Sequence, residues 1–489
     1  MGYRLREFEA ERKFSSELTL EAIGQAVSIA EIKAVLHEGE VEESRERKLN
    51  MVVIVLLVIA MNIYTHLSIG HVMRKLAQGL RFIWRDPEHR LPRDSALSYR
   101  RYQLGARPLV ALFHRICRPM ATPETPGAFL FGLRLMAIDG TVEDVPDTAA
   151  NVAVFGRHHS DRGQAAFPQV QGVYLAECGT HAIVDAGFWP CHTSERVGGF
   201  RVLRSVEADM LVMWDRGFHD YDMLLSVVER DGQVLSRLPA HVKPQRVLTL
   251  SDGSYLAYLY PSDYQRRKQG EHLLVRIIEY TLADPALPGY GELHRLVTTL
   301  LNPIVYPALD LVCAYHERWE IELVIDEVDT HQRLAGRPLR SLKPVGVIQE
   351  LYALVIAHYA IRFLMHQAAL QAGIDPDRLS FVHALRLVHD AIPEFQMVAP
   401  DQLSHLYARL LRDIADGRLP GRRLRSNPRV VKRKMSKFRL KRPQHSRWPQ
   451  PSRPFRQAVA LSDTPDTDSL FVLRLPVQEF KLALEQVVI

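Results

Sequence analysis

The sequence predicts a multidomain α/β protein in which a sheet domain, interrupted by a β-rich insertion, is flanked by helical N-terminal and C-terminal regions. The chain of 489 residues has 47% hydrophobic and 24% charged residues, which is enough apolar material for two or three domain cores. Helical periodicity fills the first part of the chain, and short apolar runs alternate with helical segments in the second. This change of pattern places the first domain boundary near residue 125.

The N-terminal region, residues 1–125, carries helical patterns and no strand signals. The segments "LTLEAIGQAVSIAEIKAVLHEG" and "HVMRKLAQGLRFIW" have apolar residues at helical intervals. Between them, residues 51–73 contain no Asp, Glu, Lys or Arg and are long enough to cross a bilayer. Because Asn62, Thr65 and His66 interrupt the apolar run, we expect a buried core helix and no membrane span.

Strand signals begin in the next region, residues 126–241. The predicted elements are, in order, a strand over 133–140, a hairpin of 170–177 and 181–189 around the turn 178–180, a helix over 194–206, a strand over 210–217, a helix over 220–232 and a strand over 233–238. This order matches the ribonuclease-H-like plan, in which three antiparallel strands precede parallel ones and helices cover both faces.

The rest of the chain divides at further changes of pattern. We predict a β-rich insertion over 242–303 and a second part of the core over 304–375, which contains the helix with the candidate catalytic glutamate. A C-terminal helical region over 376–421 and a basic tail and C-terminal end over 422–489 follow. The insertion is assigned from strand-like runs such as "LLVRIIEYTL", which charged turns and Asp-Gly separate.

Cysteine usage and the N-terminal sequence indicate a cytoplasmic protein. Four cysteines are scattered without C-x-x-C spacing, so neither a zinc site nor a disulfide framework is expected. The start, "MGYRLREFEAERKF", mixes acids with bases and lacks the apolar run of a signal peptide.

The net charge of +6 has its source in one segment near the C-terminus. Residues 422–442 hold eleven Lys and Arg and no acid. Such a block indicates a polyanion partner, usually nucleic acid, although a solvated tail without a partner has the same composition. The candidate DNA-binding residues of this tail are Arg422, Arg423, Arg425, Arg429, Lys432, Arg433, Lys434 and Lys437.

Three carboxylates are candidates for catalysis: Asp139 at the end of the first predicted strand, Asp215 at the end of another, and Glu322 on the helix after the insertion. Ligands collect at the carboxyl ends of parallel strands. Carboxylates from several elements suit Mg²⁺, and two such ions could activate an attacking oxygen and stabilise a leaving one. Asp-Gly and Asp-Arg-Gly are also ordinary turn signals, and other aspartates lie near both positions, so the pattern alone leaves the choice of ligands open.

The helix predicted over 314–333 has a chemical side and a buried side. At ~100° per residue, Tyr315, Arg318, Glu322, Asp329 and Arg333 fall within one stripe, and the branched residues at 321, 324 and 328 occupy another. The simplest interpretation of the charged stripe is an i,i+4 ion pair between Arg318 and Glu322.

The motifs taken together resemble those of a known family. "IDGT" at Asp139, "WDRGF" at Asp215 and the spacing of Tyr315, Arg318 and Glu322 resemble the DDE transposases of the insertion-sequence-four family, whose signature is Tyr-x2-Arg-x3-Glu-x6-Lys. The resemblance covers most of the chain. It implies a ribonuclease-H-like catalytic core with the β-rich insertion before the Glu, and a DNA-binding role for the helical domain 1–125.

The resemblance also implies chemistry and partners. Asp139, Asp215 and Glu322 would be the catalytic residues and the ligands of Mg²⁺, or of Mn²⁺ in its place, with two ions bound. Tyr315 and Arg318 would approach the DNA backbone, where Arg318 could contact phosphate. The implied activity is cut-and-paste transposition: cleavage at the terminal inverted repeats of double-stranded DNA, then strand transfer into target DNA. A homodimer in the synaptic complex and a nucleoid-associated, bacterial cytoplasmic location are expected with it.

Two departures from the family pattern affect particular steps. Asp329 stands where the family has Lys, so we expect it to meet phosphate, with Arg333 pairing with it at i,i+4 or taking over the phosphate contact. The insertion also lacks the tryptophan with which related enzymes stack a flipped base during hairpin formation. The tyrosines that could stack instead are Tyr255, Tyr258, Tyr260 and Tyr264.

Three alternatives remain open from the sequence. A transposase-derived DNA-binding protein that no longer cuts would retain the fold, and Asp329 favours it slightly. A ribonuclease-H-like metal-dependent nuclease would cut without strand transfer. A glycosidase could use two carboxylates, but the basic tail would then have no function.

Overall fold

The computed structural model describes residues 2–9, 11–43, 49–86, 88–160, 163–333, 336–420, 430–431 and 439–462. The chain forms two compact units. Unit 1 contains residues 1–129, 138–205 and 320–419, and unit 2 contains residues 130–137, 206–319 and 420–489. The two units do not follow the domain boundaries predicted from the sequence, which stay predictions.

The α-helices are α1 Ile29–Glu38, α2 Met51–Ile63, α3 Ile69–Leu76, α4 Gln78–Ile83, α5 Asp94–Leu104, α6 Arg107–Ile116, α7 Ala149–Phe155, α8 Glu195–Val202, α9 Tyr221–Val228, α10 Tyr264–Lys268, α11 Ala308–Glu317, α12 Glu320–Asp326, α13 Pro344–Ala372, α14 Phe381–Met397, α15 Leu403–Asp416 and α16 Phe455–Ala458. A π-helical segment, Glu327–Gln332, follows α12 directly.

The strands are β1 Phe129–Leu130, β2 Leu133–Asp144, β3 His159–Ser160, β4 Gly163–Gln164, β5 Gln169–Glu177, β6 Ile183–Pro190, β7 Met210–Trp214, β8 Gln233–Arg237, β9 Gln245–Thr249, β10 Tyr255–Leu259, β11 Leu273–Leu282, β12 His294–Thr298, β13 Val430–Val431, β14 Arg439–Leu440 and β15 Val459–Leu461. Strand β2 passes from unit 2 to unit 1 after residue 137.

Unit 1 is built around buried helices. In α2, all but one of the thirteen residues are buried, and the Asn50 side chain caps the helix by accepting from the Val53 N–H at 2.9 Å. The segment predicted as one core helix over 51–73 is buried along α2, but His66, Ser68 and His71 are exposed, and Ser68 caps a second helix, α3. Helix α13 is long and apolar enough to cross a membrane, yet 83% of its most apolar window is buried inside the protein.

The sheet of unit 1 has the order β6-β5-β2. Strands β5 and β6 pair antiparallel from Val170↔Pro190 to Ala176↔Ile183, which confirms the hairpin predicted from the sequence. Its turn holds His181 at a φ of 60°, a left-handed conformation that is uncommon outside glycine. The hairpin turn thereby directs a buried histidine into the core of this unit.

The sheet of unit 2 has the order β2-β7-β8-β12-β11-β10-β9. Strands β2, β7 and β8 run parallel, and all five residues of β7 are buried. The strands predicted as an insertion, β9 to β12, pair antiparallel and continue the same sheet, because β12 pairs with β8 from Leu296↔Arg237 to Thr298↔Leu235.

The prediction of one continuous helix over 314–333 is wrong, because the structure has three consecutive helical segments there. Helix α11 ends at Glu317, where the Trp319 N–H bonds the His316 carbonyl oxygen at 3.2 Å in a tighter turn. Helix α12 then carries Glu322, and the π-helical segment follows. Ile321, Val324 and Val328 are buried as predicted.

The basic tail lies mostly outside the described residues. All eight of its candidate DNA-binding residues fall in the undescribed ranges 421–429 and 432–438, as does the C-terminal end from 463 onward. Within the described part, β15 pairs with β11 from Leu461↔Tyr280 to Val459↔Leu282.

Candidate active site

Asp139 lies within strand β2, which continues five residues beyond it, so its predicted place at the strand end is wrong. Residues 135–138 are buried, whereas Asp139 and Gly140 are half-buried. The Gly140 N–H donates to Asp139 Oδ1 at 2.8 Å. A Cβ at Gly140 would lie 2.9 Å from Glu195 Oε1 and 3.1 Å from Gln171 Nε2. The glycine of "IDGT" therefore serves close side-chain packing and not a turn.

Asp215 follows the buried strand β7 directly, as the sequence predicted. Its Oδ1 accepts from the Gly217 N–H at 2.7 Å and caps a short 3₁₀ turn. A Cβ at Gly217 would stand 2.9 Å from that oxygen, so the glycine of "WDRGF" lets the carboxylate lie against the backbone. The half-buried carboxylate is thus held at the end of the strand.

Tyr315 and Arg318 gather at the same end of β7 within unit 2. The Tyr315 hydroxyl donates to the carbonyl oxygen of Trp214 at 3.3 Å, next to Asp215 in the chain. The Arg318 guanidinium carbon lies 5.8 Å from the centroid of the Tyr315 ring. Burial raises the pKa of Tyr315 to about 12, with Arg318 opposing and Asp215 reinforcing the shift. Tyr315 therefore supports the strand end that carries Asp215.

Glu322 belongs to unit 1, as Asp139 does. It is half-buried on α12, between the buried Ile321 and Val324 in sequence. The structure thus places Asp215 with Tyr315 and Arg318 in one unit, and Asp139 and Glu322 in the other. The assignment of the three carboxylates as a catalytic set stays a prediction.

Asp329 faces strand β2 and is half-buried, and its predicted proximity to phosphate stays a prediction. The Thr141 hydroxyl donates to Asp329 Oδ2 at 2.7 Å. The other oxygen, Oδ1, is buried and has no hydrogen-bond partner among the described residues. Burial raises the pKa of Asp329 to about 6, an effect that the Thr141 hydrogen bond opposes and the charge of Asp326 reinforces.

Arg333 forms an ion pair with Glu143 and donates from Nη2 to the Arg337 carbonyl oxygen at 2.9 Å. The predicted i,i+4 pair with Asp329 is therefore wrong. Both side chains of the Arg333–Glu143 pair are largely buried, and burial lowers the pKa of Arg333. The predicted DNA contact of Arg333 stays a prediction, and a structural role has more support.

Glu327 occupies a buried ion network that the sequence reasoning missed. Arg362 Nε donates to Glu327 Oε2 at 2.8 Å, and His358 Nε2 lies 3.1 Å from the same oxygen. His181 Nδ1, from the hairpin turn, lies 3.2 Å from Oε1. Although burial raises it, Arg362 and His181 hold the pKa of Glu327 well below its ordinary value. No local signal marks this network, because its members are 31 to 146 positions apart from Glu327.

The second nitrogen of His181 faces two more acids. Nε2 lies 2.9 Å from a Glu320 oxygen and 3.3 Å from Asp377 Oδ1. His181, Glu320 and Asp377 have metal-ligand chemistry and lie close enough to share an ion. Burial and Arg362 lower the pKa of His181, and Glu327, Asp377 and Glu320 raise it. The raising effects are larger, so the pKa of His181 is raised to about 9. The cluster thus joins the buried ion network around Glu327.

Comparisons with known proteins identify the class. The family model described as "Transposase DDE domain" matches residues 130–360, and the model described as "Insertion element 4 transposase N-terminal" matches residues 17–114. The chain belongs to the insertion-sequence-four family of DDE transposases, and it is a transposase of an insertion sequence.

Particular relatives agree with this class. The transposase InsG of insertion sequence element IS4 from Escherichia coli K12 is 27% identical over 354 residues, which cover 70% of this chain and 77% of InsG. The protein InsZ of the same strain is 27% identical over 137 residues, covering 28% of this chain and 46% of InsZ. Among solved structures, the cryo-electron-microscopy structure of a piggyBac transposase synaptic complex with hairpin DNA matches with a TM-score of 0.41 and 10% identity, over 85% of this chain and 88% of that one.

Proposed function

We propose that this transposase performs metal-dependent cut-and-paste transposition with Asp139, Asp215 and Glu322 as its metal ligands. The observation that carries the proposal is the register of two parallel strands, which ends in unit 2 at the pair Ala137↔Met213. Asp139 lies two residues after Ala137 on one strand, and Asp215 lies two residues after Met213 on the other. All three acids also lie within residues 130–360, which the model of the transposase DDE domain matches.

The core that carries these acids is inferred to be ribonuclease-H-like. Its support is the antiparallel hairpin β5–β6 beside β2 in unit 1 and the parallel set β2-β7-β8 in unit 2, with β9 to β12 as the β-rich addition. These are the strands that the sequence pattern predicted for that plan.

The residues present fit a hard divalent cation. Asp139, Asp215 and Glu322 offer carboxylate oxygens, which Mg²⁺ and Mn²⁺ prefer, and backbone N–H groups hold one oxygen of each aspartate in place. Two ions, when bound, would activate the attacking oxygen and stabilise the leaving one in phosphodiester cleavage and strand transfer. Arg318 supplies a guanidinium for a DNA phosphate, and Tyr315 fixes the strand end beneath it.

DNA binding by the helical N-terminal region is supported by a basic surface groove of about 280 Å³ on α3 and α4. Arg74, Lys75 and Arg81 line it and are exposed, and no ion pair engages them within the part of the chain that the structure describes. A neighbouring groove of about 260 Å³ shares Leu67 with it and adds the exposed Arg337. Exposed cations along a groove can neutralise DNA phosphates.

A hairpin step would need an aromatic side chain that can reach a base. Tyr255 is buried, with its hydroxyl on Glu279 and Arg246 over its ring, so it is excluded from this role. Tyr264 is 67% exposed, and Arg267 and Lys268 beside it are exposed cations, so it has the best support for base stacking. We expect the active complex to be a homodimer on paired DNA ends.

The test is a cleavage assay on a DNA fragment carrying the inverted repeat of the element. Asp139→Ala, Asp215→Ala and Glu322→Ala should each abolish Mg²⁺-dependent cleavage, while end binding in EDTA stays near that of the unaltered protein. Joining of a labelled end to plasmid DNA distinguishes transposition from simple nuclease action. Full cleavage in EDTA, or by any of the three variants, would show that the assignment is wrong.

A further inference from the structure

Strand β2 and the segment after α12 are tied together side by side within unit 1. Thr141 on β2 donates to Asp329 of the π-helical segment at 2.7 Å. Two residues further along β2, Glu143 pairs with Arg333, which follows the same segment. The two contacts join the strand that carries Asp139 to the helical stretch that carries Glu322.

The spacing of the two contacts along β2 places them on the same face of the strand as Asp139. In a strand, residues two apart point to the same face. Asp139, Thr141 and Glu143 therefore lie in one row, and the last two hold the helical stretch. A displacement of Asp329 along this row would move α12, which ends at the residue before the π-helical segment begins.

The Thr141–Asp329 contact carries an energetic cost. A carboxylate is kept largely buried with one oxygen unpaired among the described residues, and burial without a partner disfavours a charged group. A buried group left unsatisfied in a native protein calls for an explanation, and a role in a functional site is one such explanation. π-Helical turns inside helices are found at the same kind of place.

We propose that Thr141 and Asp329 are positioning residues that set the place of Glu322 relative to Asp139, so that both carboxylates can serve one metal site. The inference rests on the proposed function, since it uses Asp139 and Glu322 as metal ligands. In this chain the acid at the position of the family's Lys thus bonds the protein's own strand β2.

Other contacts let the segment fold without this pair. Glu327 stays anchored to Arg362 in the buried network, and Gln332 Nε2 donates to the carbonyl oxygens of Asn62 and Leu354, each at 3.1 Å. Removing the Thr141 hydroxyl therefore should leave the fold in place and release only the tie between Asp329 and β2.

The test compares Thr141→Val, which removes the donor at nearly constant volume, with Thr141→Ser, which keeps it. Mn²⁺ binding to each protein is measured by isothermal titration calorimetry, and single-turnover cleavage is measured against Mg²⁺ concentration. Thr141→Val should weaken Mn²⁺ binding and lower the cleavage rate by roughly tenfold or more, because groups that orient metal ligands have effects of that size. Thr141→Ser should restore both, and DNA binding in EDTA should not change.

Thr148→Val is the matched control, since the Thr148 hydroxyl bonds the Leu342 carbonyl oxygen at 3.0 Å elsewhere in unit 1. It should leave the Mn²⁺ affinity unchanged. If Thr141→Val binds Mn²⁺ as the unaltered protein does, or if Thr141→Ser fails to restore binding, the inference is overturned. If the unaltered protein binds Mn²⁺ but does not cleave, the proposed function fails while the Mn²⁺ titrations still decide the positioning role.

Discussion

Replacing Asp329 with Asn should stabilise the metal-free protein at alkaline pH and have little effect at acidic pH. Burial raises the pKa of Asp329 from an ordinary 3.8 to about 6. Each pKa unit corresponds to about 1.4 kcal/mol between protonation states, so ionised Asp329 costs the folded state about 3 kcal/mol at pH 8. Asparagine keeps an acceptor for the Thr141 hydroxyl and carries no charge, so it removes that cost.

The raised pKa of Asp329 determines how the stability of the protein changes with pH. The pKa of Asp329 is higher in the folded state than in the unfolded state. The protonated carboxyl therefore favours folding, and this stability is fully present below pH 3.8 and is lost as the pH rises through about 6. Urea unfolding in EDTA at pH 4 and pH 8 measures this pH-dependent part of the free energy of unfolding. We expect Asp329→Asn to raise the free energy of unfolding by up to about 3 kcal/mol at pH 8 and by less than about 1 kcal/mol at pH 4.

Asp326→Asn provides the control from the same helical stretch. Asp326 is exposed and lies 3.2 Å from His331, and such a surface pair contributes at most about 1 kcal/mol. This variant should therefore change stability little at either pH. An Asp329→Asn protein that is no more stable than the original at pH 8, or equally stabilised at both pH values, would refute the burial argument.

Three further outcomes are expected. Arg362→Met should cost about 3–5 kcal/mol in urea unfolding, because Glu327 would keep a buried charge without its guanidinium partner; a loss below about 1 kcal/mol would contradict the network. Arg74→Ala with Lys75→Ala should weaken end binding and reduce the slope of log K against log salt by up to about 0.9 for each phosphate that is no longer neutralised, and an unchanged slope would exclude the groove from the DNA interface. Removal of residues 422–489 should likewise flatten the salt dependence, and a binding curve identical to that of the full chain would show that the basic tail does not contact DNA.

Features that depend on local pattern could be predicted from the chain alone. The buried strand before Asp215 and the β5–β6 hairpin follow from apolar runs bounded by turn residues, and the structure has both. The burial of Ile321 and Val324 follows from helical periodicity. The family signature was likewise readable because its spacing is set along one stretch of chain.

The partners of the polar side chains depend on the packing of elements that are distant in sequence. Asp139 lies inside β2 and not at its end, because pairing in the sheet continues through a sequence that otherwise signals a turn. Asp329 accepts a hydrogen bond from Thr141, 188 positions away in sequence. His181 reaches Glu327 from a hairpin turn 146 positions earlier. Such contacts follow from which elements pack together, and the packing is fixed by burial summed over the whole core, which local periodicity does not encode.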